Sequence, residues 1–126
     1  MTDPQTILIV EDDETDRMIC RLFLEQAGYR VLEVSCAEDG LELCSRTRPD
    51  LLLIDGLLPQ MDGFQMTRAL RAIPEYRDTP MLILSGLEEP EWPRRALEAG
   101  ATGFILKSND WQGLVARIQQ VLLPNC

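Results

Sequence analysis

Four apolar runs in this chain each end in a residue able to do chemistry. Ile7 to Val10 runs into Glu11, Asp12 and Asp13. Leu51 to Ile54 runs into Asp55, Met81 to Leu84 into Ser85 and Gly86, and Thr102 to Leu106 into Lys107. Carboxylates about 5 Å apart repel by roughly 3 kcal/mol per pair at an effective dielectric near 20, so a site that gathers them needs positive charge. Lys107 supplies one charge, and a hard divalent cation would supply two more. Oxygen donors without His or Cys beside them suit magnesium or manganese. A carboxylate facing a cation, a lysine and a hydroxyl can act as a nucleophile towards phosphorus and become an aspartyl-phosphate. The cation and Lys107 would neutralise the transferring oxygens while Ser85 hydrogen-bonds to one of them. Chemistry of this kind is mostly positioning and electrostatics.

Those strand ends must converge, and the rest of the chain says how. Short apolar runs alternate with amphipathic stretches. A helix over 15–27, carrying Met18, Ile19, Leu22, Phe23 and Gln26 at helical spacing, stops at Gly28. Val31 to Val34 is a second strand. Ser35 and Glu38 form a capping-box pattern for a helix to about Arg46. Asp62 caps a third helix through Ile73, with Gln65 at its third position, while Asp13 reads as the start or cap of the first. Pro90 and Pro93 restrict the fourth helix to a start near Glu91–Arg94 and an end at Gly100. Asn109 caps the last helix, whose inward stripe is Leu114, Val115, Ile118, Val121 and Leu122. Five βα units with continuously apolar third and fourth strands predict an α/β, doubly wound parallel sheet covered on both faces. In such sheets functional groups gather at the carboxyl ends of the strands.

Composition removes other classes. The 126 residues carry a net charge of −9, which opposes nonspecific binding to nucleic acid or anionic membrane. That length fits one domain over 1–126, with a core of about 5–123. No apolar run is long enough to span a bilayer, and the first residues do not read as a signal peptide. There is no histidine, which excludes Ser-His-Asp and Cys-His catalysis and His-ligated zinc. The four cysteines, at 20, 36, 44 and 126, form no C-x-x-C pair, and Cys20 and Cys44 read as small core hydrophobes in a reducing, cytoplasmic setting. The twelve basic residues are eleven arginines and one lysine, Lys107. An ammonium is a compact charge that guanidinium cannot imitate.

Ile7-Leu-Ile-Val-Glu-Asp-Asp13, Leu51-Leu-Leu-Ile-Asp55, Leu58-Pro59 with Met61-Asp-Gly63, Leu84-Ser-Gly86 and Gly100-Ala-Thr-Gly-Phe-Ile-Leu-Lys107 together resemble a response-regulator receiver domain over nearly the whole chain. The resemblance implies a flavodoxin-like three-layer sandwich with strand order 2-1-3-4-5. It implies that Asp55 takes phosphate from the phospho-histidine of a sensor kinase or a histidine phosphotransfer protein. Asp12 would bind the cation directly and Glu11 through water, with Asp55 and the backbone carbonyl of Leu57 completing the protein ligands. Ser85 would be the switch hydroxyl, Lys107 would pair with the phosphoryl group, and Phe104 would swing inward as Ser85 moves. The face of the fourth helix, fifth strand and fifth helix would then report to a downstream protein or output domain, or form a homodimer. No catalysis is expected beyond self-phosphorylation from a phosphodonor and self-dephosphorylation.

Departures from the family pattern sharpen these expectations. Ser108 stands where proline usually follows the lysine, which excludes a cis Lys-Pro bond there. Leu57 and Leu87 flank the site where other members carry polar groups that help position attacking water, so slow self-dephosphorylation is expected. Trp92 and Trp111 could anchor a partner on the output face, with ordinary packing the favoured reading. Two other classes compete. A magnesium-dependent phosphatase or phosphotransferase would want a general acid two residues past Asp55, where Leu57 stands. A flavodoxin-like cofactor carrier would want a Ser/Thr/Gly-rich loop where the chain has Glu11 to Asp16. A receiver acting without phosphate as a binding module is a further reading. After its last helix the chain as given has no room for an output domain; a stand-alone regulator, a relay stage and a piece of a larger protein all fit it.

Overall fold

A computed structural model describes residues 3–86 and 89–123. Within them, five parallel strands, β1 (Thr6–Val10), β2 (Arg30–Val34), β3 (Leu51–Asp55), β4 (Met81–Ser85) and β5 (Gly103–Leu106), alternate with five helices. These are α1 (Glu14–Gln26), α2 (Ala37–Cys44), α3 (Gly63–Arg71), α4 (Trp92–Ala99) and α5 (Trp111–Leu122). The sheet order is β2-β1-β3-β4-β5, the doubly wound, flavodoxin-like arrangement. Strand alternation divides the core into two layers. Leu8, Val10, Leu52, Ile54, Met81 and Ile83 pack under α2, α3 and α4, and Ile7, Ile9, Leu51, Leu53, Leu82 and Leu84 pack under α1 and α5. Every residue of β3 and β4 is buried, as their unbroken apolar character requires. No helix among the described residues is long and apolar enough to cross a membrane.

Several boundaries differ from the sequence reading, each for a local reason. The cap of α2 is Cys36, whose sulfur accepts from the Asp39 amide at 3.4 Å, and Ser35 lies outside the helix. The cap of α5 is Asp110, whose Oδ1 accepts from the Gly113 amide at 2.9 Å, rather than Asn109. α3 ends at Arg71 because Pro74–Tyr76 forms a separate 3-10 turn, and α2 ends at Cys44. The phase of α1 also differs. Its buried residues are Cys20 and Leu24, while Met18 and Leu22 are exposed. The Asp62 capping box to Gln65 forms as read, and Gly100 closes α4 at φ 98°.

Two contacts fix α3 and α4 around the carboxyl edge of β3. The start of α3 presses on the strand end: the Gly63 amide donates to the Gly56 carbonyl at 3.2 Å, and a Cβ built on Gly63 would collide with the Asp55 carbonyl. Phe64 then covers Gly56 and stacks on Trp92 at 5.2 Å and 11°, with the Arg95 guanidinium over both rings at 4.4 and 4.7 Å. At the opposite end of α4, Arg71 donates to the carbonyls of Gly100 (2.7 Å), Tyr76 and Arg77 and to the Thr102 hydroxyl.

Gly63→Ala is therefore expected to lower stability by about 3 kcal/mol or more, because the obstacle is backbone and cannot move aside. Gly86→Ala, with no described residue within 4 Å of the new methyl, is expected to stay within about 0.5 kcal/mol of the parent. Urea unfolding of the two variants beside the parent checks both.

Candidate functional site

Each side chain singled out for chemistry sits where a strand runs out, and parallel register brings those ends together. Val10 pairs with Ile54, so Glu11 and Asp55 follow side by side. Asp55 pairs with Leu84, which places Ser85 one step further on. Ser85 pairs with Leu106, and the Lys107 amide donates to the Ser85 carbonyl at 2.6 Å. Glu11, Asp55 and Ser85 are 3%, 6% and 0% exposed, whereas Asp12 faces solvent. One carboxylate oxygen from each of Glu11, Asp12 and Asp55 lies within 4.8 Å of the others. Three oxygen donors of like charge at that spacing fit a hard cation.

Lys107 reaches into this cluster. Its Nζ lies 2.5 Å from Glu11 Oε1, 3.3 Å from Asp16 Oδ2 and 3.4 Å from Asp55 Oδ2. No cis peptide bond occurs among the described residues, so Lys107 reaches its partners with Ser108 in place of proline and a trans bond. The Asp55 carboxylate is steadied on its other oxygen, Oδ1, by the Leu57 amide at 3.0 Å. The Leu57 side chain is 45% exposed at the rim. Leu87 lies outside the described residues.

Burial, then a hydrogen bond shared with Asp55, pushes the Glu11 carboxyl up to about 8, and the hydrogen bond from Lys107 offsets this only in part. Burial also works against the Lys107 charge, but the hydrogen bond to Glu11 and the field of Asp55 outweigh it and hold the ammonium above its ordinary value. Lys107 is therefore charged throughout the physiological range.

Of the remaining residues, Phe104 is half-buried against the core under α2, α3 and α4. Asp13 caps α1, its Oδ1 accepting from the Asp16 amide at 2.8 Å. Trp92 is packed, 7% exposed, and Trp111 stacks on Phe23 at 6.5 Å. Sequence reasoning missed Asp16. It lies one turn before Cys20 and two before Leu24, so correct phasing of α1 on those two residues puts its carboxylate on the inward face.

Comparison with known proteins agrees with this fold. The family model described as the response regulator receiver domain matches residues 7–119. The chain is similar to the transcriptional regulatory protein AfsQ1 of Streptomyces coelicolor, with 34% identity over 117 residues, covering 93% of this chain and 51% of that protein. It therefore spans about half the length of the curated relatives it matches first. Among solved structures it is similar to the signal receiver domain of a signal transduction histidine kinase from Syntrophus aciditrophicus (TM-score 0.86, 36% identity, 94% of this chain and 89% of that one). It is also similar to the chemotaxis response regulator CheY4 of Vibrio cholerae (TM-score 0.89, 29% identity, 94% and 99%).

The raised Glu11 carboxyl has a consequence for stability. Its folded value, about 8, lies above the ordinary 4.5, so the folded chain holds a proton that the unfolded chain releases between those values. The stability this contributes is complete below about 4.5 and is lost as pH rises through about 8. In buffer containing a chelator, the parent is expected to lose stability over that window, by up to about 1.4 kcal/mol per pH unit at the steepest point. Glu11→Gln is expected to flatten the slope. Denaturant midpoints measured from pH 5 to pH 8 check the difference.

Proposed function

This chain belongs to the response regulator receiver domain family, and on that premise we propose that it is a phosphorylation-controlled signalling module whose acceptor is Asp55. The single observation that carries the reading is the convergence of Glu11, Asp12 and Asp55 with the chain's one lysine at the ends of three strands. Glu11, Asp12, Asp55 and the Leu57 carbonyl would hold a magnesium or manganese ion. Such an ion, when bound, neutralises charge on the oxygens of the transferring phosphoryl group. An Asp55 carboxylate oxygen attacks the phosphorus of a phospho-histidine. The P–N bond breaks and the imidazole leaves with the electron pair, taking up a proton. Lys107 and the Ser85 hydroxyl bind oxygens of the new acyl phosphate. Ser85 moving towards the phosphate and Phe104 packing behind it would pass the change to the face of α4, β5 and α5.

The donor is a sensor histidine kinase or a histidine phosphotransfer protein, and the receiver of the signal is a partner protein, an attached output domain or a second copy. In this reading residues 1–126 form one cytoplasmic receiver unit. Its net charge of −9 leaves any contact with nucleic acid to another domain or protein. No catalysis of free substrates is needed: the position two past the acceptor is the apolar Leu57, which cannot serve as a general acid. The same residue, exposed at the rim, offers no group to orient attacking water, which supports a long-lived phosphoryl group.

Intact mass after incubation with magnesium and phosphoramidate is the test. The chain is expected to gain one phosphoryl group, about 80 Da, and Asp55→Asn and magnesium-free controls to gain none, as an aspartyl-phosphate at this position requires. After removal of the donor the adduct is expected to persist for minutes; decay in seconds would remove the reading of Leu57. Magnesium binding without any mass gain would leave a phosphate-independent binding module instead.

A further inference from the structure

Lys107 Nζ carries three N–H donors and, among the described residues, faces three carboxylates, those of Glu11, Asp16 and Asp55. Two of these have other work in the proposed reaction. Glu11 belongs to the cation cluster, and Asp55 surrenders an oxygen to phosphorus. Asp16 lies outside that cluster and has neither duty. It is the one carboxylate able to stay on the ammonium from the resting chain through to the phosphorylated one.

The placement of Asp16 is not explained by helix chemistry alone. Asp16 is the third residue of α1, where an acid commonly turns back to accept from the amide of the cap residue. Here that donor, the Asp13 amide, is taken by Glu11 Oε2 at 3.0 Å. An acid serving only the helix dipole would be satisfied pointing at solvent. The Asp16 side chain is instead 33% exposed and directed at the far end of β5. Lys107 also lacks the ring of a following proline, so nothing in the backbone beyond it fixes φ at the next residue. A flexible four-carbon stem aimed across a gap needs a partner at its tip.

We propose that Asp16 is a positioning residue: its carboxylate holds the Lys107 ammonium between α1 and the end of β3, where it meets the phosphoryl group arriving on Asp55. The proposal rests on Asp55 being the acceptor. Asp16 touches no reacting atom and acts only through Lys107.

Because Lys107 is the chain's only lysine, labelling with 15N-lysine gives a single side-chain ammonium signal, visible while hydrogen bonding protects its protons from exchange. The full chain, Asp16→Asn and Asp16→Glu are compared by this signal, by phosphorylation rate with phosphoramidate and magnesium, and by thermal midpoint. Asp16→Asn is expected to broaden or lose the signal and to slow phosphorylation by about tenfold, while Asp16→Glu keeps the signal and stays within about threefold. The thermal midpoints are expected to move alike. An unchanged signal with parental rates in Asp16→Asn overturns the proposal, as does faster phosphorylation, or an Asp16→Glu chain as impaired as Asp16→Asn. If the parent itself gains no phosphoryl group, the receiver reading fails first, and a signal that survives in Asp16→Asn then separately removes the contact.

Discussion

The structure depends on one electrostatic conflict. Two buried carboxylates, Glu11 and Asp55, stand side by side with Asp12 at the end of a sheet, and a single ammonium opposes them. At the observed spacing each pair of ionised carboxylates repels by a few kcal/mol at an effective dielectric near 20, and burial adds to the cost. The chain meets this in two ways: Lys107 is drawn in and held charged, and Glu11 takes up a proton more readily than an ordinary carboxylate. A site in this condition is prepared for added positive charge. The same imbalance that raises the Glu11 carboxyl would favour a divalent ion among its oxygens.

Such a conflict persists only if the scaffold forbids the side chains from swinging apart, and rigidity here comes from packing around the strand ends. β3 and β4 are covered on both faces, so the positions of Asp55 and Ser85 are set by register rather than by loops. Gly63 lets α3 begin directly against the Asp55 carbonyl, and the Asp62 capping box closes that helix start. Phe64 carries the contact onward to Trp92 and Arg95 on α4. α4 is thus tied to the region of the site at its first turn and tied to α3 at its last by Arg71. The buried Trp92 Nε1 has no hydrogen-bond partner among the described residues, so the first of these ties carries the cost of an unpaired donor.

What could be read from sequence follows from how local each signal is. Strand ends were legible because an apolar run that stops at Glu11, Asp55, Ser85 or Lys107 encodes both the strand and its chemistry. The Asp62–Gln65 cap was legible because both partners lie within four residues. The phase of α1 was not. Met18 and Leu22 look like core residues and are exposed, while Leu24 faces inward beside Cys20, the one inward residue that was read, and Asp16 was lost with Leu24. The caps at Cys36 and Asp110 fell next to the residues expected, since Ser35 and Asn109 are at least as capable acceptors and side-chain type alone does not choose between adjacent positions. The Arg71 cluster was beyond reach, because the Gly100 carbonyl after α4, the Tyr76 and Arg77 carbonyls of the 3-10 turn and the Thr102 hydroxyl converge only once the fold exists.

The lone lysine now has a physical account. An arginine at 107 would present a planar fork suited to one carboxylate taken by two parallel bonds. The carboxylates here come from three directions: the end of β1, the first turn of α1 and the end of β3. A tetrahedral ammonium can address all three with separate donors, and its compact charge can turn from one oxygen to another without repacking a plane. Eleven of the twelve basic residues are arginine, and the one lysine falls where three carboxylates converge on a single side chain. Replacing it by arginine keeps the charge and loses the three-way contact, which separates the demand for charge at this site from the demand for its shape.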